Sequence, residues 1–300
     1  LQLLLVLLVL VVAGRLQHRL AVRQRLARAD VAPEPPRSAA DRAAVLWTAV
    51  VCVLVALPLL ALLHDSLRVG DGYGLDWWLG LGVDGPTTRD VPVWGPLRVS
   101  LSYAVAATAI AVVVGGLAAC AIAYARRGSG LLDTASMLPL GTSAVTLGFG
   151  LLVTFAVAPF DLRGSWIIVP IGHALVAIPL VVRTVLPVLR AVDPRLREVA
   201  ATLGSSPSRA WRTVDLPVLG RALGVGAGMA AAVSLGEFGA TSFLARAGDP
   251  TLPVAIGRLL GRPGEAGVGQ AAAMSVVLVV VTALVVLAAE RLRRPGQAEL

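Results

Sequence analysis

The feature that most limits what this chain can fold into is its set of long apolar runs, several of twenty or more residues with scarcely a charge. A bilayer's hydrocarbon core takes roughly 20 helical residues to cross. Within lipid every backbone N–H and C=O needs a partner in the protein, which a helix supplies from its own segment. Composition agrees: 57% of the 300 residues are hydrophobic and 15% charged, against roughly 25% charged in soluble domains. The expected class is all-α integral membrane.

Six spans are expected after residue 42, at about 43–63, 97–125, 131–157, 166–189, 218–243 and 267–289. The net charge is +8. In a soluble chain that would suggest nucleic acid; here it predicts no nucleic-acid partner but cytoplasmic loops facing anionic lipid. Arginines gather before the first span, after the second (Arg126, Arg127), between the fourth and fifth (Arg190, Arg195, Arg197, Arg209, Arg212) and in the tail. The other side receives scattered singles such as Arg68, Arg89, Arg163, Arg246 and Arg258. Positive-inside therefore puts both ends of the six-span unit, and the C-terminus, in the cytoplasm. Trp77, Trp78, Trp94 and Trp166 suit an interfacial aromatic belt. Gly80-Leu-Gly82-Val-Asp-Gly85 matches GxGxxG without the strand and helix that would give the motif meaning.

No lysine occurs; all 26 basic residues are arginine. A P-loop needs its Lys on the phosphates, so any nucleotide hydrolysis must occur on another chain. Cys52 and Cys120 both lie in apolar runs, and His18, His64 and His173 lack ligand spacing, so neither a metal site nor a cofactor is expected. His173 is expected to satisfy a helix–helix contact.

Residues 1–14 begin with thirteen almost wholly apolar residues followed by Arg15, Arg19, Arg23, Arg25 and Arg28, the reverse of a signal peptide. They are expected to be the truncated last span of a missing first half. Residues 15–42 then form a basic cytoplasmic linker with Pro33-Glu34-Pro35-Pro36 at its middle. Residues 43–290 make the six-span unit and 291–300 a cytoplasmic tail.

The loop 190–217 carries unusually dense local signals. Asp193 and Pro194 are N-cap and N1 of a short helix, and Gly204 can close it at a left-handed C′ position. Ser206 and Pro207 repeat the start signal, and Leu216-Pro217 is expected to end the second helix before span five. The product would be a rigid bracket. Its second helix places Ala210, Trp211 and Val214 on one side, where an exposed Trp would suit a partner's groove or pack under the membrane.

Glu198-x-Ala200-x3-Gly204-x9-Val214-x-Leu216-Pro217 resembles the EAA loop of ABC-importer permeases, with Val199 standing where that family prefers Ala. The resemblance covers about 43–290 and implies a type I, MetI-like permease fold. It also implies that 190–217 docks on an ATP-hydrolysing subunit, with Gly204 as elbow, the 207–214 helix inserted, and Glu198 stabilising the bracket, for instance by pairing with Arg195 or Arg197. The implied partners are ABC ATPase subunits, an extracytoplasmic solute-binding protein and a second permease unit. Some permeases of the iron and thiamine branch fuse two such halves, which would account for residues 1–14.

Span five closes with Ser234-Leu-Gly236-Glu237-Phe238-Gly239-Ala-Thr241. A carboxylate in a span is a pathway candidate, so Glu237, Phe238, Gly239 and Thr241 are expected on the translocation path; alternatively Glu237 pairs with Arg246 or Arg258 near the interface. This string and Thr251-Leu-Pro253 resemble permeases serving ferric iron, thiamine, molybdate and sulfate; the apparent fusion favours iron or thiamine. The chain reads as a bacterial cell-membrane transport subunit, not an enzyme, with a molybdate- or sulfate-type permease as the alternative and a secondary transporter or intramembrane enzyme as weaker rivals.

Overall fold

Ser38 opens the first helix. Its hydroxyl accepts from the Asp41 N–H while the Asp41 carboxylate accepts from the Ser38 N–H, a capping box that satisfies two otherwise unpaired donors. Helix α1 (Ala39–Leu67) then runs 29 residues. The computed structural model describes residues 38–82, 92–125, 128–156, 161–162, 164–246 and 248–293. The expected truncated span at 1–14, nearly all of the linker, Arg126, Arg127 and the tail from 294 lie outside the described residues.

After α1 a two-residue hairpin, β1 (Arg68–Val69) and β2 (Gly72–Tyr73), pairs antiparallel with Arg68 opposite Tyr73. A short helix α2 (Asp76–Leu79) and a 3₁₀ turn (Gly80–Gly82) follow. That turn takes up the start of the GxGxxG string, whose remaining residues lie outside the described set. Then come α3 (Trp94–Tyr124), α4 (Ser129–Met137), α5 (Ala144–Thr154) and α6 (Ile168–Ala191). The chain ends with α7 (Pro194–Thr202), α8 (Pro207–Ala210), a π turn (Trp211–Asp215), α9 (Leu216–Gly236), α10 (Thr241–Leu244), α11 (Leu252–Leu260) and α12 (Glu265–Arg293).

Among the described residues five helices are long and apolar enough to cross a membrane: α1, α3, α6, the continuous stretch Pro207–Gly236, and α12. The sixth expected span, 131–157, is instead two helical pieces, Ser129–Gly141 and Ala144–Thr154, bent by 99°. Pro139 cannot donate to the helical ladder, the backbone tightens to a 3₁₀ turn at Leu138–Gly141, and Ser143 is extended.

Small residues set the packing, because lipid gives helices no hydrophobic reason to associate and close van der Waals contact must do it. Helix α6 lies against α3 and α9. Val181 is the meeting point: a Cβ on Gly115 of α3 would lie 2.9 Å from the Val181 Cβ, and one on Gly226 of α9 would lie 3.4 Å from its Cα. Around it Ala107, Ala111, Ala177, Val185 and Ala230 are buried. Helix α1 contacts α12 and leaves Val45, Leu46, Val53 and Leu54 exposed, a surface suited to lipid. Trp77 departs from the expected aromatic belt. Its indole N–H donates to the Arg68 carbonyl at 2.6 Å, and its ring is buried with Leu252, Leu259 and Met274. Trp94 and Trp166 are exposed.

Helix α3 runs the full depth of the molecule. Arg98 near its start and Tyr124 at its end are separated by about 39 Å at ~1.5 Å per residue. These two residues mark the two ends of α3.

Candidate functional site

At the Tyr124 end, residues 192–217 form the expected bracket. The Asp193 carboxylate accepts from the Arg195 N–H at 2.9 Å and Pro194 fills the first helical position, so α7 starts as its sequence dictates. Its C-terminus is a Schellman closure. Ser205 N–H donates to the Ala200 carbonyl and Gly204 N–H to Ala201, both at 2.9 Å, with Gly204 at φ 80°. A left-handed residue here turns the chain sharply into the second arm, and glycine adopts it without a Cβ penalty.

The second arm departs from expectation twice. Ser206 has the extended backbone of an N-cap, but its hydroxyl meets Ser208 Oγ at 3.3 Å rather than a backbone N–H. Leu216-Pro217 does not end the helix. Leu216 is helical at φ −62°, ψ −39°, and helix runs unbroken from Pro207 to Gly236. The π turn at Trp211–Asp215 widens the ladder just before Pro217, where the missing proline N–H would otherwise have interrupted it. The second arm and span five are therefore one continuous helix.

What braces the bracket also differs from expectation. Glu198 is exposed and makes no hydrogen bond or ion pair among the described residues. The brace is Arg197 with Asp215. Arg197 Nε lies 3.0 Å from Asp215 Oδ2 and Nη2 lies 2.5 Å from Oδ1, a two-pronged pair. Tyr124 donates its hydroxyl to Asp215 Oδ1 at 3.1 Å, and the Arg197 guanidinium sits 5.4 Å from the centre of its ring. Asp215 is wholly buried. Its hydrogen bonds hold the Arg197 pKa above the ordinary arginine value. The three residues come from α7, the π turn and the end of α3, so one buried carboxylate ties both arms to a second span. The sequence did carry a signal, a lone Asp beside the apolar opening of span five.

Apolar side chains remain on the outside of this bracket. Leu196, Val199, Leu203 and Trp211 are all exposed, Leu203 at 80%. Leu216 is exposed too, Val214 is half-buried, and Pro207 and Pro217 are exposed. Arg195, Arg209 and Arg212 of the same bracket are exposed as well, and exposed apolar side chains among charged ones suit a partner-docking surface.

The Glu237 string lies beyond α9, not within a span. The helix stops at Gly236 and Glu237 is extended, φ −74°, ψ 115°. The Glu237 carboxylate accepts from the Ala240 N–H at 2.9 Å, and the Thr241 hydroxyl donates to the Glu237 carbonyl at 2.9 Å. No described arginine pairs with Glu237. Both Glu237 and Thr241 are buried, whereas Phe238 is 49% exposed and Gly239 half-buried. The break is held from two sides. Helix α5 comes so close that a Cβ on Gly148 would lie 2.6 Å from the Ala240 Cα. His173 of α6, itself buried, meets the expectation of a helix–helix contact: Nδ1 lies 2.7 Å from Ser234 Oγ and Nε2 lies 2.6 Å from Thr241 Oγ1. Since Thr241 gives its proton to Glu237, a neutral His173 must donate from Nε2 and accept from Ser234 at Nδ1.

No protein-family model matches the chain. Its curated relatives include PhnV of Salmonella typhimurium LT2, the permease protein assigned to a 2-aminoethylphosphonate transport system. It is 30% identical over 263 residues, 85% of this chain and 96% of the relative. The sulfate transport system permease protein CysT of Escherichia coli K12 is 32% identical over 206 residues, 65% of this chain and 71% of the relative. The molybdenum transport system permease protein ModB of the same organism is 34% identical over 173 residues, 53% and 76% of the two chains. Near-complete coverage of a permease, together with the apolar helices, makes this a multi-pass membrane protein that belongs to the family of ABC-importer permeases.

Proposed function

We propose that this chain passes a small oxyanion across the bacterial inner membrane, working with a separate ATPase, a second permease unit and an extracytoplasmic binding protein. The observation that carries the reading is the bracket. Its exposed apolar face offers an ATPase a dock, and its buried Arg197–Asp215–Tyr124 tie makes the dock continuous with span five and attached to α3. A push on Trp211 moves spans rather than a loop. In this reading the bracket and the C-terminus face the cytoplasm, and ATP is bound and hydrolysed on the partner. On the docking face Trp211 and Leu203 fill the groove, with Pro207 starting the inserted arm. Glu198 lies free to meet the partner. Phe238 faces the path, while Gly239 lets the chain pass close to Ala144 and Val145 and Glu237 and Thr241 hold the break in shape.

The solute class follows the relatives' names, a phosphonate, sulfate and a molybdenum species. They support the oxyanion alternative over ferric iron or thiamine. The test is uptake into proteoliposomes by the assembled complex, offered 2-aminoethylphosphonate, sulfate, molybdate, ferric iron and thiamine in turn. ATP-dependent accumulation of one of the three anions is expected. Trp211→Ala should cut it about tenfold or more, as truncating an aromatic anchor at the centre of an interface commonly does. Uptake of iron or thiamine alone would overturn the solute class, and uptake driven by an ion gradient without ATP would overturn the coupling.

A further inference from the structure

The end of the molecule opposite the bracket holds two adjoining cavities. One, of about 360 Å³, has Arg98, Asp249, Arg258 and Arg262 among its lining; the other, of about 420 Å³, has Arg98, Ser102, Tyr103, Trp166, Arg246 and Asp249. Arg98 and Asp249 belong to both. Four arginines thus line the two cavities, Arg98 both of them, and Asp249 is the one carboxylate residue in their described lining. Among the described residues neither Arg98 nor Arg262 is ion-paired. Arg246 gives one nitrogen to the Gly164 carbonyl.

Tyr103 supplies an independent observation. It is 2% exposed, lines the second cavity, and no described group bonds its hydroxyl. A buried tyrosine ordinarily finds a hydrogen-bond partner. Its ring is fixed edge-on to His173 at 6.4 Å and beside Trp166 at 5.7 Å, so the hydroxyl is a placed donor. Planar guanidiniums with forked N–H groups match tetrahedral oxyanions, and low-dielectric walls concentrate their field.

We propose that these cavities form a receiving site for one small tetrahedral oxyanion, with Arg98 and Tyr103 as its principal donors and Arg246, Arg258 and Arg262 supplying the field. The proposal rests on the oxyanion reading above. A small anion is favoured over an acidic protein surface because Tyr103 is buried, where a flat partner face would not reach it.

The test measures equilibrium binding of radiolabelled sulfate, molybdate and 2-aminoethylphosphonate, each in turn, to the assembled complex in nanodiscs, without binding protein or nucleotide. At least one should bind. Arg98→Gln should weaken it about tenfold, the usual scale of one lost charged hydrogen bond. Arg98→Lys, which keeps the charge and loses the fork, should weaken it less, and Tyr103→Phe by several-fold. Arg68→Gln, at the same end but outside both cavities, should bind as the wild type does. If none of the three anions binds, or if Arg98→Gln and Tyr103→Phe leave binding unchanged, the site is refuted. It is also refuted if the substitutions weaken only docking of the binding protein. Because binding is read without transport, uptake of iron or thiamine would refute the functional reading separately from this one.

Discussion

The two ends of α3 hold charge in opposite ways. At Tyr124 a carboxylate is buried and fully engaged by an arginine and a phenol that come from two neighbouring elements. At Arg98 two adjoining cavities are lined by four arginines, with Asp249, exposed, the one carboxylate residue in their described lining. Neutralised charge with every hydrogen bond made gives rigidity. Charge without an ion pair among the described residues, as at Arg98 and Arg262, gives attraction for something that is not protein. The first arrangement suits an element that must transmit force, the second one that must receive a ligand.

Removing the carboxylate at the bracket should produce the largest effect. Asp215→Ala leaves the Arg197 guanidinium and the Tyr124 hydroxyl without their partner, and breaking a buried pair in this way costs about 3–5 kcal/mol. Since Arg197 is partly exposed and can reach water, the lower end is expected. Thermal unfolding of the purified complex should shift down, and solute moved per ATP hydrolysed should fall. Asp215→Asn keeps an acceptor for Tyr124 and should lose less. Wild-type stability and stoichiometry in Asp215→Ala would mean the tie carries no load.

Next in size is the elbow. Gly204 has open space where a side chain would sit, so a substitution there meets only the backbone cost of φ 80°. For an ordinary residue that is about 1–2 kcal/mol, and β-branching adds to it. Gly204→Val should therefore open the Schellman closure in an appreciable fraction of molecules and reduce uptake several-fold while membrane insertion continues. Gly204→Asn, a residue that tolerates the left-handed region, should stay near the wild type. Equal losses in the two variants would assign the effect to the side chain and not to the turn.

The bracket was readable in sequence because its determinants are local. Asp193, Pro194, Gly204 and Pro207 each act on their own turn, and their spacing survives in the fold. Its brace was not readable, since Arg197 and Asp215 are 18 positions apart and Glu198 looked the better candidate beside them. Pro217 misled because a π turn absorbs it, and a π turn has no simple sequence mark. The arginine end was invisible for a stronger reason: Arg98, Arg246, Arg258 and Arg262 are far apart in the chain, and Arg246 and Arg258 read as scattered singles. Glu237 was singled out as a pathway candidate within span five. Its job in the structure, capping the break after Gly236, depends on where the helix stops, which the apolar run alone did not mark.

The smallest effect should come from Asp249, and it probes the other end. Its carboxylate is exposed and makes no ion pair within the described residues, so Asp249→Asn should leave thermal unfolding almost unchanged, as surface substitutions usually do. It should nevertheless tighten sulfate binding, because the one carboxylate in the described lining of the cavities is gone. Sulfate carries two charges, so a carboxylate about 7 Å away through water changes its affinity by about sevenfold. At ionic strength near 1 M the screening length is about 3 Å and the gain should vanish. The same substitution therefore separates a field effect from a contact. A gain that persists at high salt would place Asp249 against the anion itself. No gain at low salt would mean that the four arginines do not act on a common ligand, and the contrast between the two ends would reduce to one buried ion pair and a patch of solvated charge.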